Sequence, residues 1–316
     1  MTRVWVKLPK NQMKLYTGDT METRWLYRTS GDFAELREAS EGVCVIPMGC
    51  VEKHGLHLAV GTDIILASHV AYEASKLETF CVFPDFTFGD LPNNFPIAPE
   101  GSMSEGNITV TLELEMQLLD ELCRQISRNG YKKILVYNGH GGNASWLNAF
   151  MRKLGNSKRD FVLGVVDLGL TVPHDLARYL IEHGRGSIPE LTSEDEETLL
   201  KQRAEGMLAG HAGMGECALM MGVAPDAVHF DMLGRESGKP TGRAGKLRKA
   251  GIKLADGGWD INVPNAYYGD DPYGCTESIG RAALRIEIEK LANAVRVFKE
   301  DDYFLTHLAA QQRGWN

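Results

Sequence analysis

A chain of 316 residues, 43% hydrophobic and 24% charged, has the make-up of a protein that buries a full core, which excludes disorder as its resting state. A formal net charge of −8 excludes a general nucleic-acid or anionic-membrane surface, because both need a basic footprint. No run of 18 apolar residues is present to span a bilayer, and six cysteines without a C-x-x-C pair read as reduced thiols of a cytoplasmic protein, several of them small hydrophobes inside apolar runs.

In chain order, the first residues alternate Lys and Arg with single apolar side chains, unlike a signal peptide, so 1–22 reads as an N-terminal extension. No low-complexity linker follows, and one large domain is expected over 23–300, with 301–316 as a C-terminal tail. Gly42 to Met48 (GVCVIPM) is a short β-branched run that reads as a buried strand. The loop after it holds Glu52, His54, His57 and Asp63, and Ile65, Ala67, Val70, Ala71, Ala74 and Leu77 then fall at helical spacing. Phe80 to Phe83 is a second apolar run. A long amphipathic helix is expected between Asn107 and Gly130, from Leu112, Leu114, Leu118, Leu119, Leu122 and Ile126.

Lys133 to Tyr137 (KILVY) reads as a strand that ends in Asn138-Gly139-His140-Gly141-Gly142-Asn143, with a helix from Ala144 to Leu154 and a further strand from Phe161 to Leu168. Strand and helix alternating in this way point to an α/β protein with a mostly parallel sheet covered on both faces, whose strand ends are where such sheets place their sites. The acidic run Glu194 to Glu197 reads as an exposed helix start, and Cys217 to Met221 as a buried helix after His211-Ala212-Gly213-Met214-Gly215-Glu216. The basic stretch from Arg235 to Lys253 is either a solvated loop or an anion or subunit contact. Asp256 to Gly274, rich in Gly, Asn, Pro and aromatics, reads as a structured loop that closes over the site, packs on a neighbouring subunit or stays on the surface, ahead of an amphipathic helix from Glu277 to Phe298.

A carboxylate and an imidazole two residues apart, with another carboxylate farther along the same loop, make the mixed oxygen and nitrogen donor set that Zn²⁺, Mn²⁺ or Fe²⁺ accept. Singly, each residue has a plainer reading. Asp63 also suits a helix cap, and His57 suits a hydrogen-bonding or packing role better than a ligand role.

The run Gly49-x-Val51-Glu52-x-His54-Gly55-x-His57-Leu58-x-x-Gly61-Thr62-Asp63 resembles the signature of the creatininase (creatinine amidohydrolase) family. Gly106-x-Ile108-Thr109, Asn138-Gly139-His140-Gly141-Gly142-Asn143 and His211-Ala212-Gly213-x-x-Glu216 follow in that family's order. The resemblance implies a three-layer α/β/α domain with a parallel-rich sheet, assembled as a homo-oligomer, possibly a hexamer. It also implies two divalent metal ions per subunit, one held by Glu52, Asp63 and His140 and the other by His54, Asp63 and Glu216, with His211 as the acid/base residue.

Where creatininase itself has an aromatic residue and a carboxylate after the histidine matching His140, this chain has Gly141 and Gly142; where it has a Trp-Asp pair, Met207 and Leu208 stand. The resemblance therefore points to another amide. The expected activity is hydrolysis of the C–N bond of a small cyclic amide or formamide by metal-activated water, with a metal-dependent isomerase or a lactone or sugar-acid hydrolase as the alternative. His57, Gly141, Gly142 and Asn143 are weaker candidates for substrate contact; the glycines' N–H groups suit an oxyanion, and a tight turn explains them equally well.

Overall fold

Four parallel strands form one sheet in the order β2-β1-β3-β4, with β1 spanning Val43–Met48, β2 Cys81–Val82, β3 Lys133–Asn138 and β4 Val162–Asp167. The computed structural model describes residues 21–91, 106–169, 172–205, 210–243, 245–253, 259–269 and 272–312. Most of the N-terminal extension, and the positions Met207 and Leu208, lie outside the described residues. Each strand follows the apolar run expected for it, trimmed by a residue at the start of β1 and at both ends of β2 and β4, while β3 runs one residue farther to Asn138.

The central strands β1 and β3 are buried on both faces, because their alternate side chains point to opposite sides of the sheet. Val43, Val45, Leu135 and Tyr137 join a core with α2 (Thr62–Leu77), α5 (Val172–His183), α7 (Met214–Val223) and α10 (Glu277–Glu300). Cys44, Ile46, Met48, Ile134 and Val136 join a second core with α1 (Phe33–Ala39), α3 (Leu112–Arg128) and α4 (Asn143–Gly155). The result is the expected α/β/α arrangement. Removing a side chain such as Ile46 or Ile134 from water contributes about 1.5–3 kcal/mol.

Capping fixes where several helices start. Thr111 accepts from the Leu114 N–H and begins α3 four residues after the polar Asn107, and Thr276 does the same for α10 through Ile279. The acidic run behaves differently from its expectation. It does open a helix, α6 (Ser193–Ala204), with Thr192 and Asp195 forming a reciprocal cap, but Asp195 and Glu196 are each only 3% exposed. Asp195 accepts from Thr276 and Ser278, and Glu196 accepts from the Gly186 N–H, so these carboxylates are buried because they are hydrogen-bonded.

The helices α7 and α10 cross at two glycines. A Cβ on Gly222 would lie 2.7 Å from the Gly280 carbonyl carbon, and one on Gly280 2.5 Å from the Gly222 nitrogen. Only glycine at both positions allows this approach, which fixes α7 against the core. The basic stretch carries a short helix, α8 (Gly245–Lys249), and its seven basic side chains from Arg235 to Lys253 are exposed, in line with a solvated loop. A further short helix, α9 (Trp259–Asn262), lies in the aromatic loop, and α11 (Tyr303–Gln312) occupies the C-terminal tail and packs on β4. No helix among the described residues is long and apolar enough to cross a membrane.

Candidate metal centre

Two junctions leave the sheet together, because Met48 at the end of β1 pairs with Asn138 at the end of β3. Gly49 turns the first junction back on itself: a Cβ there would lie 2.6 Å from the Ile64 nitrogen, so a side chain would push α2 away from the strand end. Asp63 then falls in the first turn of α2. The capping reading for it fails, since Gly61 is the N-cap and Asp63 directs its two oxygens elsewhere.

Asp63 Oδ1 is 3.3 Å from His54 Nε2, which is 3.7 Å from Glu216 Oε2; Asp63 Oδ2 is 2.9 Å from His140 Nδ1, which is 3.4 Å from Glu52 Oε2. The five residues that the family resemblance singles out thus meet in one place, arriving from the β1–α2 junction, the β3–α4 junction and the start of α7. All are buried, at 0 to 7% exposure. The remaining ring nitrogens are oriented by backbone: His54 Nδ1 is 2.9 Å from the Glu52 carbonyl and His140 Nε2 is 2.7 Å from the Asp90 carbonyl. As donors, those nitrogens leave His54 Nε2 and His140 Nδ1 as the lone-pair atoms facing the carboxylates.

Burial alone would strip charge from such a cluster, and here the mutual attraction wins. Burial opposes a charged His54, but Glu216 and Asp63 hold its pKa well above the usual imidazole value. Burial likewise opposes a charged His140, yet Glu52 and Asp63 raise it to about 9. Asp63 is held well below the ordinary carboxylate range, against its own burial, by His54 and His140, and Glu216 is lowered chiefly by His54. The site therefore favours positive charge between its carboxylates. His54 Nε2 nevertheless has no hydrogen-bond partner although it is fully buried, a costly state for a polar atom unless a cation takes it. Overlapping groups of three or four donors lie within 4.8 Å of one another, and carboxylate and imidazole donors so arranged suit divalent cations.

His211 stands at the edge of this cluster. Its ring lies 4.1 Å from that of His54 and edge-on to Trp259 at 5.4 Å, its Nε2 is 2.9 Å from the Lys53 carbonyl, and at 11% its side chain is the most exposed of the group. Ala212 beside it has φ of +56°, in the left-handed region that a residue with Cβ seldom adopts. Its N–H donates to Glu216 Oε2 and its carbonyl lies 2.8 Å from His57 Nε2. His57 is thus committed to holding this turn, with its ring against Tyr267, and is not free for a substrate.

Asn143 is corrected in the same way. It is fully buried, its Oδ1 accepts from the Asp90 N–H and the Trp146 indole, and its amide nitrogen donates to Asn138, so its place is structural. Gly142 is crowded, with a Cβ there 2.7 Å from the Asp90 carbonyl and against the His140 ring, which favours the tight-turn reading. Gly141 is exposed and open, with nothing within 4 Å of a Cβ.

The aromatic loop closes over the site within the subunit. Tyr268 N–H donates to the His211 carbonyl, Gly55 N–H donates to the Ala266 carbonyl, and Trp259 and Tyr267 cover His211 and His57. Three contributors escaped the reading of the sequence. The Asp90 carbonyl orients His140 from a segment with no motif, and Lys53 reaches Glu236 at 2.7 Å from between two of the converging residues. Cys50 is the third, its Sγ 3.0 Å from Asp63 Oδ2; the alternation of 50, 52 and 54 along extended chain was the available signal.

Comparison with known proteins places the chain among relatives of one family. The family model described as creatininase, creatinine amidohydrolase, matches residues 27–295. The creatinine amidohydrolase of Pseudomonas putida is 23% identical over 205 residues, 61% of this chain and 68% of that one. The mycofactocin precursor peptide peptidase of Mycolicibacterium smegmatis is 30% identical over 119 residues, 37% of this chain and 46% of that one. The structure of a putative creatinine amidohydrolase from Bacteroides fragilis superposes with a TM-score of 0.65 at 22% identity, covering 90% of this chain and 99% of that one. Creatininase structures described as a manganese form and a zinc–zinc form share the fold with a TM-score of 0.62. With the family's model running through nearly the whole described chain and the same fold beneath it, the chain belongs to the creatininase family of amidohydrolases.

Proposed function

We propose that this chain hydrolyses the C–N bond of a small cyclic amide or formamide at a pair of divalent ions, zinc, manganese or iron. Glu52, Asp63 and His140 hold one and His54, Asp63 and Glu216 hold the other. The observation that carries this reading is the division of Asp63, whose Oδ1 faces His54 and whose Oδ2 faces His140. When bound, two such ions supply Lewis acidity for a carbonyl and a nucleophilic water near neutral pH.

The chain's own residues do the rest. With Nε2–H donating to the Lys53 carbonyl, His211 keeps Nδ1 as the nitrogen that exchanges protons, and its partial exposure lets a substrate reach it. Delivery of that proton to the departing nitrogen is the step an amide needs most. Trp259 and the aromatic loop hold the ring in place and limit water. The divergent Gly141 and Gly142 stand where creatininase carries bulk, so the substrate differs from creatinine.

The test is metal analysis joined to a substrate panel. Protein reconstituted with Zn²⁺, Mn²⁺ or Fe²⁺ should hold two equivalents and release amine or ring-opened acid from one amide or formamide class. Lactone and keto-sugar panels in the same assay separate this from sugar-acid hydrolysis or isomerisation. Failure to hold any divalent ion sinks the reading.

A further inference from the structure

Five of the six cysteines pack inside the two cores: Cys217 and Cys275 in one, Cys44, Cys81 and Cys123 in the other. Cys50 belongs to neither, although it too is fully buried. Its Sγ lies 3.0 Å from Asp63 Oδ2 and 3.7 Å from Glu52 Oε2. His140 Nδ1 faces the same two oxygens at 2.9 and 3.4 Å. Sulfur and nitrogen therefore alternate with two carboxylate oxygens around one small space, and all four residues fall within a single group of converging donors.

From these contacts we infer that Cys50 is a fourth protein ligand of the ion held by Glu52, Asp63 and His140, making that position a sulfur-containing, zinc-selecting site. The inference rests on the metal reading above. A tetrahedral ion with bonds of about 2.0 Å to oxygen and nitrogen and about 2.3 Å to sulfur separates its donors by roughly 3.3–3.6 Å. The four contacts above, at 2.9 to 3.7 Å, are of that size, so an ion fits with small side-chain shifts.

The other position differs. His54, Asp63 and Glu216 form its group with no sulfur among them. One carboxylate thus joins a position with a soft donor to a position with oxygen and nitrogen alone, and the first prefers zinc over manganese more strongly than the second. On binding, the Cys50 thiol gives its proton to solvent and its sulfur forms the bond to the ion, so each ion taken up there releases one more proton than Cys50→Ser would.

Cobalt(II) reports the bond directly. Full-length metal-free protein titrated with Co²⁺ should develop a near-ultraviolet sulfur-to-cobalt charge-transfer band that saturates with one of the two bound equivalents. Cys50→Ser and Cys50→Ala should bind cobalt without the band, and their preference for Zn²⁺ over Mn²⁺ should fall at least about tenfold. Wild-type protein that holds two equivalents of Co²⁺ without the band overturns the inference and leaves the metal reading standing. A band that persists in both variants overturns it as well. Protein that takes up no Co²⁺, Zn²⁺ or Mn²⁺ overturns both, and metal content alone identifies that case.

Discussion

The junctions after β1 and β3 leave the sheet side by side and solve the same problem in opposite ways. The first runs through residues 49–61 and carries Glu52 and His54, with Asp63 just inside the helix beyond. The second turns within residues 139–142 and carries His140 alone. Length lets the first spread its side chains over both halves of the centre, at the cost of needing anchors along its course. It finds them in the Lys53–Glu236 pair, the Asn107 side chain that accepts from the Lys53 N–H, and the Gly55 N–H that donates to Ala266. The short junction has no such reach. It relies on glycine where the chain packs against Asp90 and on Asn143 to tie Asn138 to α4.

The largest effect should come from the residue both halves share. Asp63→Ala removes the oxygens facing His54 and His140 together, leaving any two ions in mutual repulsion. Loss of both metal equivalents, read by elemental analysis, is the expected outcome, while Glu216→Ala should lose one. Two equivalents retained by Asp63→Ala would show that the halves are independent.

Breaking an anchor tests the long junction alone. The Lys53 and Glu236 side chains are 7% and 14% exposed, and Glu236 Oε2 has no hydrogen-bond partner, so removing the cation strands a buried carboxylate. Lys53→Met should cost about 3–5 kcal/mol in urea unfolding, and adding Glu236→Gln should return most of it. Equal stabilities for the single and double variants would mean that the pair is not an anchor.

Steric contrast tests the short junction. Gly142 has ordinary helical dihedrals, so Gly142→Ala carries no backbone penalty, only the collision with the Asp90 carbonyl and the His140 ring. Overpacking of this kind should cost about 1–3 kcal/mol and weaken metal binding by about 10–100-fold by displacing His140. Gly141→Ala, with open space around it, should stay within about 0.5 kcal/mol of the parent. If the two substitutions behave alike, the crowding at 142 is relieved without cost.

The same contrast explains what could be read from the sequence. Strands β1 and β3 and the helices on them were legible because apolar runs and helical spacing report burial directly. Glu52, His54, Asp63, His140 and Glu216 were legible as a group only through ordered motifs, since nothing local says that residues 52 and 216 meet. Long-range backbone acceptors left no trace: the Asp90 carbonyl that orients His140 and the Lys53 carbonyl beside His211 have no side-chain signature. Asn143 misled for a related reason, because an amide that ties a junction and an amide that binds a ligand look identical in sequence. The helix α5 was missed although Val172, Leu176, Ala177 and Leu180 are correctly spaced.

A buried acid behind the short junction gives the last and smallest effect. Glu115, in the first turns of α3, is fully buried, and neither carboxylate oxygen has a hydrogen-bond partner. Burial, helped by the negative charge of Asp90 and opposed by His140, raises its pKa to about 8 from the ordinary 4.5. Because the folded value lies above the unfolded one, the protonated acid contributes stability that is complete below about pH 4.5. That contribution is lost as pH rises through about 8. Glu115→Gln keeps a neutral side chain at every pH and should remove the slope. Relative to the parent, the variant should gain about 1–2 kcal/mol in urea unfolding between pH 5 and pH 8, once local relaxation around the charged form is allowed for. Its metal content should not change, since Glu115 belongs to none of the converging donor groups. Unfolding free energies that run parallel for the two proteins across that range would mean that Glu115 titrates as it does in water, and that the space behind His140 is wetter than its packing implies.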